Sequence, residues 1–391
     1  MVRWRKEEVL RSDYAREPYS LRFYLATKYL AMSNSKNFSG FLEDVSRGLP
    51  SSWDWRQPVI IGVSGGADSL ALLHSLVELS RGEKNALVVV AHVEYDLRVE
   101  ASCDREFVVQ HAEQLGFSCY WKKVCVQNAP RAKQGDGTEA LARRLRYDFF
   151  TQLAFEIGAR HVAVGHTCDD QAETILHRLL RGTGLGGVAG MPATRELSEG
   201  VSLVRPLLHV RRQQTQDFLQ SIGQNWREDE SNKQLHFARN FLRHRVLAEV
   251  ERGPYPAAVE ALVRFGEQAR VEMSSRLRKI DAVIEKSVEQ KHDGKILIHQ
   301  KGIGDDSSIV PEALIEIWKR KGWPRQELSS KHLNQLTEMI FYEIFKGAAI
   351  PNAVDLPGGI HARLLAGGVS LQQKCLPRVS PSSCLKEAEP L

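Results

Sequence analysis

The run Val59-Ile60-Ile61-Gly62-Val63 breaks into Ser64-Gly65-Gly66-Ala67-Asp68-Ser69, and this junction constrains the fold more than any other stretch of the chain. The run is β-branched and free of charge, as a strand buried in a parallel sheet must be. From Leu70 the spacing changes: Leu70, Leu73, His74 and Val77 follow the helical period, with Asp68 or Ser69 placed to cap the helix. Strand, turn and helix therefore aim backbone N–H groups at one point. Gly65 and Gly66 remove the side chains that would keep a ligand away, so the turn predicts a phosphate site. A Walker loop is excluded, because no Gly-Lys-Ser/Thr follows.

The same alternation continues. Apolar runs at 86–93, 120–126 and 161–165 predict further strands, and 37–49, 103–115, 138–157 and 169–180 read as helices. In 138–157, Leu141, Leu145, Phe149 and Leu153 give the helix one apolar face. Strands separated by helices predict α/β architecture, a doubly wound parallel (Rossmann-like) sheet with ligands at the carboxyl ends of its strands. Ser64 and His166 fall at such ends. Beyond Pro206, helices are expected at 211–222, 257–286 and 311–321, with short strands at 294–299 and 354–371. The expected division is an N-terminal extension over 1–57, the nucleotide domain over 58–250, a smaller, mostly helical domain over 254–373 and a loose tail over 374–391, with Pro254 and Pro256 at the boundary.

A chain of 391 residues has room for two or three cores. With 53 basic and 48 acidic residues, any polyanion must be met by local clusters, not by a global field. Six cysteines without a Cys-x-x-Cys pair argue against a disulfide scaffold, a zinc ribbon or an iron–sulfur site, and fit a reducing cytoplasm. No apolar stretch is long enough for a membrane span, so no membrane partner is expected. Residues 1–31 mix arginines with Glu7, Glu8, Asp13 and Glu17, unlike a transit peptide, and an alternative start at Met32 is expected.

Three constellations carry chemistry. After His166, Asp170 and Glu173 stand three apart on one helix face, where two carboxylates can hold Mg²⁺ or a cationic substrate while His166 orients a reacting group. Arg143, Arg146 and Tyr147 share a predicted polar face suited to phosphate. Arg239 to Arg245 interleave basic residues with Phe241, as where a nucleic-acid backbone is gripped. Taken singly, each also fits an ordinary charged helix surface.

Together these stretches resemble the tRNA(Ile)-lysidine synthetases of the N-type ATP pyrophosphatase (PP-loop) superfamily. The resemblance rests on Ser64–Ser69, Ala142-Arg143 with Arg146-Tyr147, His166–Thr174, Arg205-Pro206-Leu207-Leu208, and the Asp229 to His244 segment, in that order. It implies ATP binding by Ser64, Gly65, Gly66, Ala67, Asp68 and Ser69, and a catalytic group of Asp68, His166, Asp170 and Glu173. Asp170 and Glu173 become candidate Mg²⁺ ligands in the lysine region, and Arg143, Arg146, Arg205, Arg239 and Arg243 candidate contacts to tRNA or nucleotide. The implied reaction joins free L-lysine to C2 of the wobble cytidine of the CAU-anticodon isoleucine tRNA, using ATP and Mg²⁺ and releasing AMP and pyrophosphate; a homodimer is compatible with it. Selection against methionine tRNAs is expected from the part after Pro254, with Arg264, Arg270, Arg276, Arg278 and Lys279. One departure stands out: Tyr95 occupies a position where the family usually carries histidine. The alternatives are a PP-loop tRNA thiolase, disfavoured by the missing Cys-x-x-Cys pairs, and an inactive tRNA-binding protein, disfavoured by the intact Asp68, Asp170 and Glu173.

Overall fold

The computed structural model describes residues 10–11, 36–83, 86–96, 101–126, 137–228, 238–291, 294–304, 306–325, 327–342 and 350–373. Most of the N-terminal extension, the Asp229 to Phe237 part of the basic segment and the expected tail lie outside them. The chain divides into two units, Met1–Arg270 and Val271–Leu391.

The first unit is built on a sheet of β1 (Leu10–Arg11), β2 (Val59–Gly62), β3 (Val88–Tyr95), β4 (Cys119–Val124), β5 (His161–Val164), β6 (Thr194–Ser198) and β7 (Val201–Val204), in the order β1-β4-β3-β2-β5-β7-β6. The five inner strands are parallel, and β1 and β6 run antiparallel at the two edges. From β2 the chain winds outward through β3 and β4, then returns to place β5 on the other side of β2. The loops leaving β2 and β5 consequently part at a topological switch point, where α/β sheets hold ligands.

Helices cover both faces: α1 (Lys36–Arg47), α2 (Ala67–Leu79), α3 (Ala101–Gln114), α4 (Thr138–Ile157), α5 (Cys168–Leu180) and α6 (Arg212–Ser221). Neighbouring residues of one strand serve opposite layers, since Ile61 packs with Leu70, Leu73 and Leu76 of α2, whereas Ile60 packs with Leu141, Phe149 and Leu153 of α4. Phe38 and Phe41 of α1 lie against Phe218 of α6, with ring centroids 5.5 and 4.3 Å apart. A further helical run, α7 (238–252), contains a π-helical stretch at Leu242–Leu247.

The β6–β7 hairpin was not separately expected from sequence. Only the end of β7 was implied, by Arg205-Pro206-Leu207-Leu208. Its first strand is exposed over Thr194, Arg195 and Glu196, so no buried alternation marks it.

The long helix α8 (Ala258–Ser287) also departs from the expected boundary near Pro254. Its first turns belong to the first unit: Val259 and Val263 pack with Cys168 and Ala172 of α5, and Ala269 packs with Ile175. The division therefore falls after Arg270, because these apolar side chains complete the cover over α5.

The second unit pairs α9 (Val310–Arg320) and α10 (Ser330–Ile340) with strands β8 (Val288–Gln290), β9 (Ile296–His299), β10 (Ala353–Leu356), β11 (Ile360–Leu365) and β12 (Gly368–Gln373). They form an antiparallel sheet in the order β10-β11-β12-β9-β8, with Leu356 opposite Ile360 across the Pro357-Gly358-Gly359 turn. Helices are present as expected, but strands take a larger share than the sequence indicated. Buried Ile360 and Ala362 alternate with outward residues, as do Val369 and Leu371, and these four pack with Trp318 and Leu336 of the helices.

Candidate active site

The glycine-rich turn adopts the conformation its composition demands. Gly65 has φ +94°, which L side chains rarely adopt, and its carbonyl accepts the Arg227 N–H at 3.0 Å. The Ser64 N–H donates to Ser69 Oγ at 3.1 Å, and Ser69 Oγ donates to the Gly66 carbonyl at 2.9 Å, closing the loop on itself. Helix α2 begins at Ala67 with Gly66 as its cap residue and no side-chain cap, correcting the expectation that Asp68 or Ser69 caps it. The first-turn N–H groups are thereby left for an anion. Gly165, at the end of β5, allows the close approach of this helix: a Cβ there would meet Asp68 C and O at 2.9 Å.

Behind the turn, His92 sits buried within β3, with Nδ1 2.8 Å from the Val63 carbonyl. Burial lowers its pKa, so the neutral ring donates Nδ1–H to that carbonyl and fixes the end of β2.

The carboxylates meet at a residue the sequence did not single out. Arg212 begins α6, and its Nε donates to Asp68 Oδ2 at 3.0 Å while Nη2 donates to Asp170 Oδ1 at 2.7 Å. Its Nη1 lies 3.6 Å from Glu173. Thr215, one turn further along α6, donates to Asp68 Oδ1 at 2.6 Å. Arg243 of α7 closes the group from the other side, with Nε to Glu173 Oε1 at 2.6 Å and Nη2 to Asp170 Oδ1 at 3.1 Å. Three acids and two arginines thus share one partly buried cluster of net charge −1 in the ionised state.

The surroundings split the three acids. Burial works to raise the Asp170 carboxyl, but Arg212 and Arg243 outweigh it and hold the group at about 2. Asp68 and Glu173 are pushed up, by burial first and then by the like charge of Asp170. Arg212 loses solvation, but Asp170 and Asp68 more than compensate and keep it protonated above its ordinary value. Burial, with the charges of Arg205, Arg146 and Arg143, drives His166 down to about 3 despite Asp170, so the imidazole is neutral at pH 7. Its Nδ1 is buried and meets no partner among the described residues.

Most of the turn, with Asp68, His166, Asp170, Arg212 and Arg243, lines one cleft of about 580 Å³, a size suited to a nucleotide. The phosphate turn, Asp68, Asp170, Arg212 and Arg243 form its polar side. Ala91 and Val93 of β3, Val164 of β5 and Phe150 of α4 give an apolar wall fit for a base. Tyr95 joins that wall, its hydroxyl donating to the Ala142 carbonyl at 3.4 Å.

The expected Mg²⁺ ligands do not fit a resident ion. Asp170 Oδ2 accepts from the Thr167 N–H at 3.0 Å, Asp170 Oδ1 is shared by two arginines, and both Glu173 oxygens take Arg243. Among the described residues no group of three His, Cys, Asp or Glu could hold a metal.

The expected RNA contacts divide. Arg146 lines the cleft. Arg143 and Arg146 lie over Tyr147, which is buried in the core and not on a polar face as the spacing predicted. Arg239 is 40 % exposed and pairs with Glu139 at 3.2 Å. Two expectations need correction. Arg205 is 1 % exposed and donates to the Pro192 carbonyl at 2.7 Å, so it is buried framework and no surface contact to RNA. Arg243 faces the carboxylates and does not share a phosphate-gripping face with Arg239.

Residues 36–250, more than half of the chain, match the PP-loop domain family. A U34-tRNA thiolase of Methanococcus maripaludis that carries a [4Fe–4S] cluster shares the fold, with TM-score 0.50 and 16% identity over 59% of this chain and 79% of that one. The fold and the phosphate turn therefore define a PP-loop nucleotide-binding protein. Nearer in sequence is the tRNA(Ile)-lysidine synthase of Rhodopirellula baltica, 35% identical over 75% of this chain and 83% of its own length. That of Thermus thermophilus is 41% identical over 57% of this chain and 41% of its own, and that of Bacillus cereus 32% over 77% and 62%. The chain belongs to the tRNA(Ile)-lysidine synthase family. It spans less than two thirds of the Thermus and Bacillus proteins.

Proposed function

We propose that the protein converts the wobble cytidine of a CAU-anticodon isoleucine tRNA to lysidine. The observation that carries this reading is the joining of the phosphate turn and the Asp68 and Asp170 carboxylates in one nucleotide-sized cleft, with buried Glu173 tied to them through Arg212 and Arg243, in a chain of this family. The ATP triphosphate, arriving with its own Mg²⁺ as substrate, lies on the N–H groups of the turn, and the apolar wall takes a base. The cytidine O2 attacks the α-phosphorus and pyrophosphate leaves, its charge met by the helix N-terminus. The lysine ε-amine then attacks C2, loses a proton and expels AMP. The net −1 of the acid–arginine cluster draws the lysine cation, and neutral His166 offers a hydrogen bond to the reacting base without adding charge.

The test is AMP release by the full chain with ATP, Mg²⁺ and a CAU isoleucine transcript. Release should require lysine and match the lysidine formed one to one. A protein that needs a sulfur donor, or that makes no AMP with all substrates present, would sink the reading.

A further inference from the structure

Four guanidiniums crowd around one buried phenol. Arg195 of β6 lies 4.8 Å from the Tyr147 ring centroid, Arg146 5.1 Å and Arg143 5.6 Å. Arg205 faces the same side chain, and burial, with repulsion from Arg143 and Arg195, lowers its pKa to about 10. Among the described residues none of the four forms an ion pair, whereas Arg211, Arg212 and Arg243 each meet two or three carboxylates. The Nε atoms of Arg146 and Arg205 are buried and find no acceptor. Beside the cluster opens a second cleft of about 340 Å³, lined by Arg143, Arg144, Arg195 and Tyr147, with Asp148 and Glu196 at the same wall.

Packing cations together with no carboxylate paired to them raises the free energy of the empty site, and an anion placed among them recovers it. A guanidinium held over an aromatic ring makes no hydrogen bond to that ring's carbons through its N–H fork, which stays free to match phosphate oxygens. Location identifies the anion. Arg146 lies over Tyr147 and also lines the catalytic cleft, so the arginine cluster adjoins that cleft. The reversal of β6 also matters: Arg195 pairs with Leu203 near the carboxyl end of β7, so the antiparallel strand delivers Arg195 to the ligand edge of the parallel sheet. On the reading above, the triphosphate already has the glycine turn, which lines the first cleft and not the second.

Resting on the reading above, we infer that the Arg143–Arg195 cleft binds a backbone phosphate of the RNA, flanking the nucleotide whose base enters the catalytic cleft. The side chains position the strand, and Tyr147 is the platform that aligns them.

The experiment is binding of the CAU isoleucine transcript to the full chain across graded KCl, without turnover, for wild type, Arg195→Gln, Arg143→Gln and Arg195→Lys. Arg195 is exposed at the sheet edge, so its replacement leaves the core untouched. The log–log salt slope should fall by about one unit in each glutamine variant, with affinity down about tenfold at fixed salt, while Arg195→Lys keeps the slope. ATP affinity measured without RNA is the control. An unchanged slope in folded Arg195→Gln and Arg143→Gln overturns the proposal, as does a loss confined to ATP affinity, which would give the cleft to the triphosphate. Because binding is read without chemistry, a wild type that binds RNA but makes no AMP defeats the ligase reading, while the slope difference still supports this site.

Discussion

At the scale of single residues, Arg212 decides how the acids behave. Removing it would leave Asp68, Asp170 and Glu173 facing one another with Arg243 as the one arginine still paired to them among the described residues. Breaking a partly buried network of this kind costs about 3–5 kcal/mol. Arg212→Ala is therefore expected to lower the urea midpoint clearly and to abolish AMP formation, and Arg212→Lys to restore part of the stability but little activity, since a lysine cannot fork between two carboxylates. A folded Arg212→Lys enzyme with full turnover would contradict this. Nothing in the sequence marked Arg212: an arginine at a helix start reads as solvated, and its partners lie 144 and 42 residues away in the chain. The Ser64–Ser69 turn was legible because its chemistry is local, with strand, glycines and helix adjacent. Arg205 and Arg243 were misplaced for the opposite reason, since composition cannot separate an arginine buried against Pro192 or drawn to Glu173 from one facing solvent.

Between elements, the approach of α2 to β5 is what brings Asp68 beside Asp170. Gly165 is the contact point, and a methyl group there presses on the backbone of Asp68, which has nowhere to yield. Gly165→Ala is expected to cost about 1–3 kcal/mol in urea unfolding, as overpacking does, and to weaken ATP binding measured by titration calorimetry. If the variant bound ATP as wild type does, the helix would not depend on this contact. Buried strands and amphipathic helices announced themselves by their periods of two and 3.6, and the parallel sheet follows from their alternation. The β6–β7 hairpin escaped because an exposed edge strand need not alternate. For the same reason the sequence showed Arg143 and Arg146 but not Arg195, which joins them only through β6.

Over the whole molecule, the unit boundary changes where the chain can be cut. Ending it near Pro254 would strip Val259, Val263 and Ala269 from the cover of α5, whereas ending it after Arg270 retains them. We propose that Val271–Leu391 serves tRNA selection. Arg270 and Arg276, expected as RNA contacts, are spoken for by the Met191 carbonyl and by Glu312, which leaves Arg278 and Lys279 as better candidates. A chain of residues 1–270 should fold and bind ATP, yet modify isoleucine and methionine CAU tRNAs alike. One of residues 1–254 should melt at lower temperature. Undiminished discrimination by the 1–270 chain would remove the second unit from recognition. One more property follows from the reversed strand β6. The outer edge of a sheet invites other chains to add strands and aggregate, and an edge is safest when short, charged and irregular. β6 has five residues, carries Arg195 and Glu196 outward, and shifts register between Glu196 and Ser198. The side chain proposed to hold RNA thus also guards the protein against self-association, so replacing it with an apolar residue would trade solubility as well as substrate.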